Sequence, residues 1–269
     1  MMMIQLGPLA FSVQRFSALL AIVVLVLIAG IWQRRRKIPL EGPAFWLLLV
    51  SLLLGRMAFV VQYWSAYQGS VLSWFDIRDG GFSVPAVLVG AGLVLAFYWI
   101  RNSRQAMHLT GISLVALVAW FGSLLGLGYG YEPPEEWPDV SLYERTMERK
   151  TLADVHQGRP LVINVWASWC APCVRELPVL QEAADQFDDI DFVFLNAGED
   201  WERIDGFLER LALDINPIMS DPSNALARAY GSQGLPTTMF YHADGRLLEA
   251  KMGEISRATL LQQLQQLEP

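Results

Sequence analysis

The stretch Leu161–Pro178, "LVINVWASWCAPCVRELP", contains both cysteines of the chain, Cys170 and Cys173, and decides the fold of its C-terminal half. It begins with a nearly continuous apolar run, which is typical of a parallel strand that is covered on both faces. In the segment after the cysteines, apolar residues recur on one side of a helix. The order of strand, C-x-x-C and helix predicts that the two sulfurs lie at a helix N-terminus.

This position favours redox chemistry of the two thiols. Unpaired N–H groups and the positive end of the helix dipole stabilise a thiolate at Cys170, which is therefore the expected attacking sulfur. Cys173 lies one turn into the helix, so we expect it to be shielded and to resolve a mixed disulfide by attacking Cys170. Pro172 lacks an N–H and suits the first helical turn.

Two other uses of the cysteine pair fit the sequence less well. A structural disulfide would close a ring that is too short to restrict the unfolded chain much. A zinc site would need two more ligands, and the three histidines, His108, His156 and His242, are scattered along the chain. We therefore expect a redox-active disulfide, with no metal and no cofactor.

The N-terminal half predicts a membrane domain. Apolar residues make up 53 % of the chain, and four apolar runs approach the ~20 residues with which a helix crosses a bilayer. These runs are Phe16–Trp32, Ala44–Trp64, Ser83–Ile100 and Met107–Tyr129. Positive residues follow the first run and the third, which predicts cytoplasmic loops there. The N-terminus and everything after the fourth helix are then expected on the outer side of the membrane.

Charge divides the chain at a similar place. Residues 1–137 hold nine Lys and Arg against six Asp and Glu, whereas residues 138–269 hold eleven against twenty-one. The acidic second half argues against nucleic acid as a partner, because binding to phosphates requires clustered cations. We predict a transmembrane domain at 1–130, in contact with the lipid bilayer, a Pro-rich acidic linker at 131–140 and a water-soluble domain at 141–269.

The soluble half alternates between strand and helix patterns. The run "IDFVFLN" predicts a second strand, and an amphipathic helix capped by Asp200 follows it. A short helix ends at Gly231, and Asp244-Gly245 between two strand-like runs signals a hairpin. A β-α-β crossover followed by an antiparallel hairpin and a last helix predicts an α/β domain with a mixed central sheet.

The motifs "VINVWASWCAPCVRELP" and "GLPTTMFYHADGRLLEAKMG", with their spacing, resemble the thioredoxin superfamily, in particular its membrane-anchored TlpA/ResA-like branch. The resemblance implies a thioredoxin-like domain and a thiol–disulfide oxidoreductase of the bacterial inner membrane, facing the periplasm. Its expected substrates are thiols and disulfides of envelope proteins. Residues 1–169 contain no cysteine, so electrons must reach Cys170 from a separate membrane or periplasmic donor. We expect net reduction, with oxidation or isomerisation as alternatives.

The resemblance also implies residues that bind substrate. Leu235 and Pro236 match the family segment in which a cis proline lies against the C-x-x-C and leaves the preceding backbone free to pair with an extended substrate. Trp166 and Trp169 are expected to form walls of the site, although either could instead pack in the core. These four residues are the predicted substrate-binding set.

The proton acceptor must differ from that of thioredoxin, because Asn164 stands where thioredoxin has a titratable Asp. Glu199 follows the second strand, whose carboxyl end should adjoin the strand that leads to the cysteines. Glu176 lies one helical turn after Cys173. We slightly prefer Glu199 as the acceptor of the Cys173 proton, and a solvated surface position is the alternative for Glu176.

Part of the membrane half, "LLGRMAFVVQYWSAY" and "DIRDGGFSVPAVLVGAGLVLAFYWIR", resembles a truncated and degenerate membrane region of prolipoprotein diacylglyceryl transferase. Pro85 stands where that family has a functional histidine, which speaks against lipid transfer. Arg56 lies within a predicted span, where it pairs inside the bundle, extends toward the lipid headgroups or has a function. The alternative functions are a lipid-modifying membrane protein with an accessory redox domain and a non-catalytic adaptor.

Overall fold

A computed structural model describes residues 3–6, 9–68, 71–77, 80–128, 137–232 and 234–267. The chain divides into two compact units. One comprises the described residues between 4 and 128, and the other comprises those between 137 and 267. Most of the predicted linker, 131–136, lies outside the described residues.

The first unit is helical. A two-stranded sheet, β1 (Met3–Leu6) and β2 (Leu9–Ser12), precedes four helices, which are α1 (Val13–Arg36), α2 (Glu41–Gln62), α3 (Val84–Arg101) and α4 (Ser103–Gly128). Each helix is long and apolar enough to cross a membrane, as the four apolar runs predicted. Two 3-10 turns, Trp64–Tyr67 and Val71–Phe75, lie in the connection between α2 and α3.

Glycines allow α2 and α3 to pack closely. A Cβ atom at Gly90 of α3 would lie 2.8 Å from the Cα of Ser51 in α2, and one at Gly55 would lie 2.3 Å from a methyl group of Val87. Any larger residue at these positions would force the helices apart. The backbone N–H of Ser83 donates to the carbonyl of Gly55 at 3.0 Å, which fixes the start of α3 against α2.

The second unit contains seven strands and five helices among the described residues. In chain order these are β3 (Leu142–Tyr143), β4 (Arg149–Lys150), α5 (Leu152–Val155), β5 (Leu161–Trp166), α6 (Ala171–Gln186), β6 (Asp191–Asn196), α7 (Trp201–Leu211), β7 (Ile218–Ser220), α8 (Ala225–Ala229), β8 (Thr237–Tyr241), β9 (Leu247–Met252) and α9 (Arg257–Leu267). The strand order is β4-β3-β7-β6-β5-β8-β9.

The central strands β5, β6 and β7 are parallel, and β8 and β9 extend the sheet in antiparallel fashion. This mixed sheet and its covering helices confirm the predicted thioredoxin-like α/β domain. The elements β3, β4, α5 and β7 were not predicted, because segments of two to four residues show no recognisable period.

The sheet separates two hydrophobic clusters. All six residues of β5 are buried, and Val162 and Trp166 belong to the cluster that contains α6 residues, whereas Leu161, Ile163 and Val165 belong to the other. Because side chains alternate along a strand, Asn164 points to the same face as Val162 and Trp166, toward α6. This places a polar amide beneath the helix that carries the cysteines.

Candidate functional site

The two cysteines lie where β5 turns into α6. They form a disulfide with a Cα–Cα distance of 5.2 Å. Cys170 is the N-cap of α6, and its sulfur accepts the backbone N–H of Cys173 at 3.3 Å. Cys170 is 5 % exposed and Cys173 is fully buried. An attacking thiol must reach its partner, so this difference favours Cys170 as the sulfur that meets a substrate.

Glu176 lies one helical turn after Cys173 and is buried. Its Oε1 accepts a hydrogen bond from the Nδ2 of Asn164 at 2.7 Å, and its Oε2 accepts the backbone N–H of Ile255 at 2.9 Å. The same Asn164 amide donates to the hydroxyl of Thr238 on β8 at 3.0 Å. The alternative of a solvated surface position for Glu176 is therefore wrong, since only 1 % of this residue is exposed.

Burial raises the pKa of Glu176 to about 8, because the charged form loses its hydration. The hydrogen bonds from Ile255 and Asn164 and the charge of Lys251 act in the opposite direction, whereas the charge of Glu254 adds to the increase. A carboxyl group with such a pKa can both bind and release a proton near neutral pH. This pKa suits the predicted role of Glu176 as a proton acceptor, which stays a prediction.

Glu199 has a different environment. Its carboxylate accepts hydrogen bonds from the backbone N–H and the hydroxyl of Ser168 and from the Nδ2 of Asn196, and it forms an ion pair with Arg203 at 3.0 Å. Burial alone would raise the pKa of Glu199, but the hydrogen bonds from Ser168 and Asn196 and the charge of Arg203 hold it below its usual value. A carboxylate that stays ionised in this way is a poor proton acceptor, so the structure favours Glu176 over Glu199.

The contacts of Glu199 instead fix the loop in front of the cysteines. The carboxyl ends of β5 and β6 are adjacent, with Trp166 opposite Asn196. Glu199 follows β6 and holds Ser168, which lies two residues before Cys170. The predicted proximity of Glu199 to the C-x-x-C loop therefore corresponds to a contact that supports the loop.

We expect Glu199→Gln to destabilise the folded domain by about 1–3 kcal/mol, because hydrogen bonds to a charged group are lost. Because the folded-state pKa of Glu199 is lowered, its stabilising effect is present above the unfolded pKa and is lost as the pH falls through the folded pKa. Denaturant unfolding at neutral and acidic pH measures both effects. A thiol-exchange rate in Glu199→Gln that no longer depends on pH would show instead that Glu199 is the proton acceptor.

The segment that contains the cis proline has one residue whose backbone is not hydrogen-bonded within the described parts of the chain. The Leu235–Pro236 peptide bond is cis, as the resemblance implied. The carbonyl of Pro236 accepts the backbone N–H of Gly253 at 2.9 Å, and the buried hydroxyl of Thr237 donates to the carbonyl of Gly234 at 2.8 Å. Among the described residues, none forms a hydrogen bond with the backbone of Leu235. Pairing of this backbone with an extended peptide, which the resemblance implies, stays a prediction.

The two tryptophans occupy different environments. Trp169 precedes Cys170 and is 65 % exposed, so it forms an apolar surface beside the disulfide. Trp166 is fully buried, and its ring lies 5.4 Å from that of Phe207. Of the two predicted walls, only Trp169 presents its side chain to solvent. Trp166 has the core position that the sequence left open as an alternative.

Sequence reasoning missed two polar residues of the site. Thr238 belongs to an apolar-looking strand, and nothing in its pattern indicates a contact with an amide 74 positions earlier. Ser168 has no signal beyond its place in "WASWC". No group of three or more His, Cys, Asp or Glu residues in the described parts of the chain could hold a metal ion.

Comparisons with known proteins find relatives of this chain. Residues 133–264 match the family model described as Redoxin. The thiol-disulfide oxidoreductase ResA of Geobacillus thermodenitrificans is 29 % identical over 134 residues, which cover 49 % of this chain and 76 % of the relative. ResA of Bacillus subtilis is 24 % identical over 167 residues, which cover 60 % and 92 %.

Among solved structures, a putative thiol:disulfide interchange protein DsbE from Chlorobium tepidum aligns with a TM-score of 0.45 and 23 % identity, covering 51 % of this chain and 99 % of that one.

The Redoxin match covers none of the four long helices. The resemblance of the N-terminal half to a diacylglyceryl transferase thus stays an interpretation of its sequence. The C-terminal half of this chain contains a Redoxin domain, and its homologues include thiol-disulfide oxidoreductases.

Proposed function

We propose that the chain is a membrane-anchored thiol–disulfide oxidoreductase whose Cys170–Cys173 pair exchanges disulfides with envelope proteins. The observation that carries this proposal is the disulfide at the N-terminus of α6, in which Cys170 is more exposed than Cys173 and a buried carboxyl group of raised pKa follows one helical turn later. The names of the homologous oxidoreductases support the same reaction class.

In the reducing direction, the thiolate of Cys170 attacks one sulfur of a client disulfide. The client S–S bond breaks, a mixed disulfide forms with Cys170, and the first client thiolate leaves. Cys173 then transfers its proton to the ionised carboxylate of Glu176 and attacks the sulfur of Cys170. The second client thiolate leaves, so two electrons reduce the client while the Cys170–Cys173 disulfide forms. A separate donor dithiol must then reduce this disulfide.

Substrate binding involves the surface around Cys170. The exposed ring of Trp169 offers apolar contact, and the free backbone groups of Leu235 can pair with a client peptide in an extended conformation. These groups suit a main-chain segment around a client cysteine better than a small thiol. The client is therefore expected to be a protein with an accessible disulfide.

The four apolar helices support anchoring in a bilayer. Arginines at the end of α1 and Arg101 at the end of α3 favour the cytoplasmic side for both helix ends. With four spans, the N-terminus and the Redoxin domain are then periplasmic, at the inner membrane of a bacterium. This compartment preserves disulfides. Because residues 1–169 contain no cysteine, the membrane helices cannot pass electrons to the domain by thiol–disulfide exchange.

A trapping experiment tests the proposal. In the full-length variant Cys173→Ala, mixed disulfides on Cys170 cannot be resolved, so covalent complexes with envelope proteins should accumulate. A reducing agent should cleave these complexes and release the envelope proteins. The matched control is Cys170→Ala, which keeps the buried thiol and should trap few or none. Equal trapping by both variants would contradict the assigned order of the two thiols. An empty trap in Cys173→Ala would favour a non-catalytic adaptor.

A further inference from the structure

Arg56 has an unusual set of partners in the helical unit. It lies in α2 and is only 3 % exposed. Its Nε donates to the carbonyl of Trp74 at 2.7 Å, and its Nη1 donates to that of Gly81 at 2.9 Å. Its Nη2 donates to the carbonyls of Ser73 and Asp76, at 3.1 and 2.7 Å. One guanidinium group thus binds four backbone carbonyls of the connection between α2 and α3.

Aromatic rings and a glycine complete the packing around this group. The guanidinium carbon of Arg56 lies 5.8 Å from the centre of the Phe59 ring and 5.3 Å from that of Tyr67. A Cβ atom at Gly81 would overlap the ring of Phe59, with a closest distance of 2.3 Å. The connection is therefore held against α2 by contacts that a larger residue at position 81 would break.

The connection also presents an exposed apolar surface. We call it the apolar loop face, and it consists of Val71, Leu72, Phe75 and Ile77, which are 61, 83, 62 and 64 % exposed. Four large apolar side chains within seven residues are unfavourable in contact with water. Arg56 holds the backbone of this segment through the carbonyls of Ser73, Trp74 and Asp76.

The position of the loop indicates what covers it. It joins α2 to α3, and both are candidate membrane spans, so its apolar side chains continue their apolar surface. Backbone groups can enter an apolar layer only if they are hydrogen-bonded. Arg56 provides donors for four carbonyls, and the N–H groups of Asp76 and Gly80 donate to the carbonyls of Ser73 and Ile77.

We propose that the apolar loop face inserts into the bilayer, at the boundary between headgroups and acyl chains, and that Arg56 supports it by satisfying the loop carbonyls from inside the bundle. The sequence of the connection includes charged residues at 76, 78 and 79, which limits insertion to this boundary. The proposal rests on the membrane anchoring proposed above and is independent of the redox function.

A fluorescent label at position 72 tests the insertion. In full-length Leu72→Cys, Cys170 and Cys173 are kept as their disulfide, so an NBD-maleimide reagent reacts with the new thiol. The labelled protein is placed in phosphatidylcholine vesicles with and without brominated acyl chains. Two references carry the label in α3, through Leu93→Cys, and in the Redoxin domain, through Met147→Cys; these parent residues are 58 and 69 % exposed.

Insertion predicts that brominated lipid quenches the label at position 72, as it does at position 93, and leaves the label at position 147 unquenched. Quenching at position 93 without quenching at position 72 would overturn the insertion and leave the membrane anchoring intact. If neither label is quenched, the anchoring and the insertion both fail.

The role of Arg56 is tested in the Leu72→Cys protein. Arg56→Met removes the four hydrogen bonds that the guanidinium group donates to the loop carbonyls. The label at position 72 should therefore lose most of its quenching, whereas Arg56→Lys should retain part of it. The same substitutions combined with Leu93→Cys show whether the helices remain inserted. Unchanged quenching at position 72 in an inserted Arg56→Met protein would overturn the supporting role of Arg56.

Discussion

Replacing Cys170 with serine is expected to abolish thiol–disulfide exchange by the full-length protein, leaving only the uncatalysed rate. Cys170 is the N-cap of α6 and the more accessible of the two sulfurs. A serine hydroxyl can still cap the helix, so the fold should persist while the nucleophile is lost. The rate at which the reduced protein reduces a disulfide-containing peptide measures the effect.

The matched variant is Cys173→Ser, which keeps Cys170. It should still form a mixed disulfide with the peptide in a single turnover but should not release the reduced product. A Cys170→Ser protein that forms the mixed disulfide at the normal rate would show that Cys173 attacks first. The buried position of Cys173 would then have to change upon reduction.

Replacing Glu176 with glutamine should give the second largest effect. If Glu176 accepts the proton of Cys173, its loss should slow resolution of the mixed disulfide on the order of 100-fold at neutral pH. In the native protein the resolution rate should rise with pH toward about 8, the pKa of Glu176. Glutamine cannot take up a proton, so the contribution of Glu176 to this rise should disappear, and the remaining pH dependence should follow the ionisation of Cys173 alone.

The site can accommodate glutamine. The Oδ1 atom of Asn164 is buried and has no hydrogen-bond partner in the described parts of the chain. Rotating the Asn164 amide would let this oxygen accept a hydrogen bond from a glutamine amide at position 176, while the Ile255 N–H donates to the glutamine oxygen. A slow variant with an unchanged pH profile would mean that Glu176 only supports the structure.

Stability offers an independent check on Glu176. Its folded-state pKa is raised from 4.5 to about 8, so its contribution to stability is fully present below 4.5 and is lost as the pH rises through about 8. This pH dependence should vanish in Glu176→Gln. A useful control is Gln263→Leu on α9, which removes a buried polar side chain that cannot titrate. This substitution should leave the pH profiles of resolution and of stability unchanged.

The domain fold was predictable because its signals are local. The apolar runs of β5 and β6, the cysteines at the start of α6 and the turn at Asp244-Gly245 each lie within a few residues. The strand β7, with three residues, has too few positions to show alternation. Its place beside β6 depends on pairing with a distant segment.

The site was less predictable, because its electrostatics depend on distant partners. Glu176 and Glu199 are equally plausible proton acceptors by position alone. What separates them is the burial of Glu176 beneath Ile255, 79 residues away, and the ion pair of Glu199 with Arg203. The partners of Arg56 are backbone carbonyls. Because every residue has such a group, the sequence does not indicate which ones Arg56 contacts.

A redox titration of the folded, full-length protein tests most directly whether the two cysteines are redox-active. The protein is equilibrated in buffers of increasing ratio of reduced to oxidised glutathione, free thiols are alkylated, and mass spectrometry counts the modified cysteines. We expect one reversible two-electron transition, in which the bond between Cys170 and Cys173 forms or breaks as a whole. A pair that stays fully joined or fully separate across all buffers, while the protein remains folded, would contradict it.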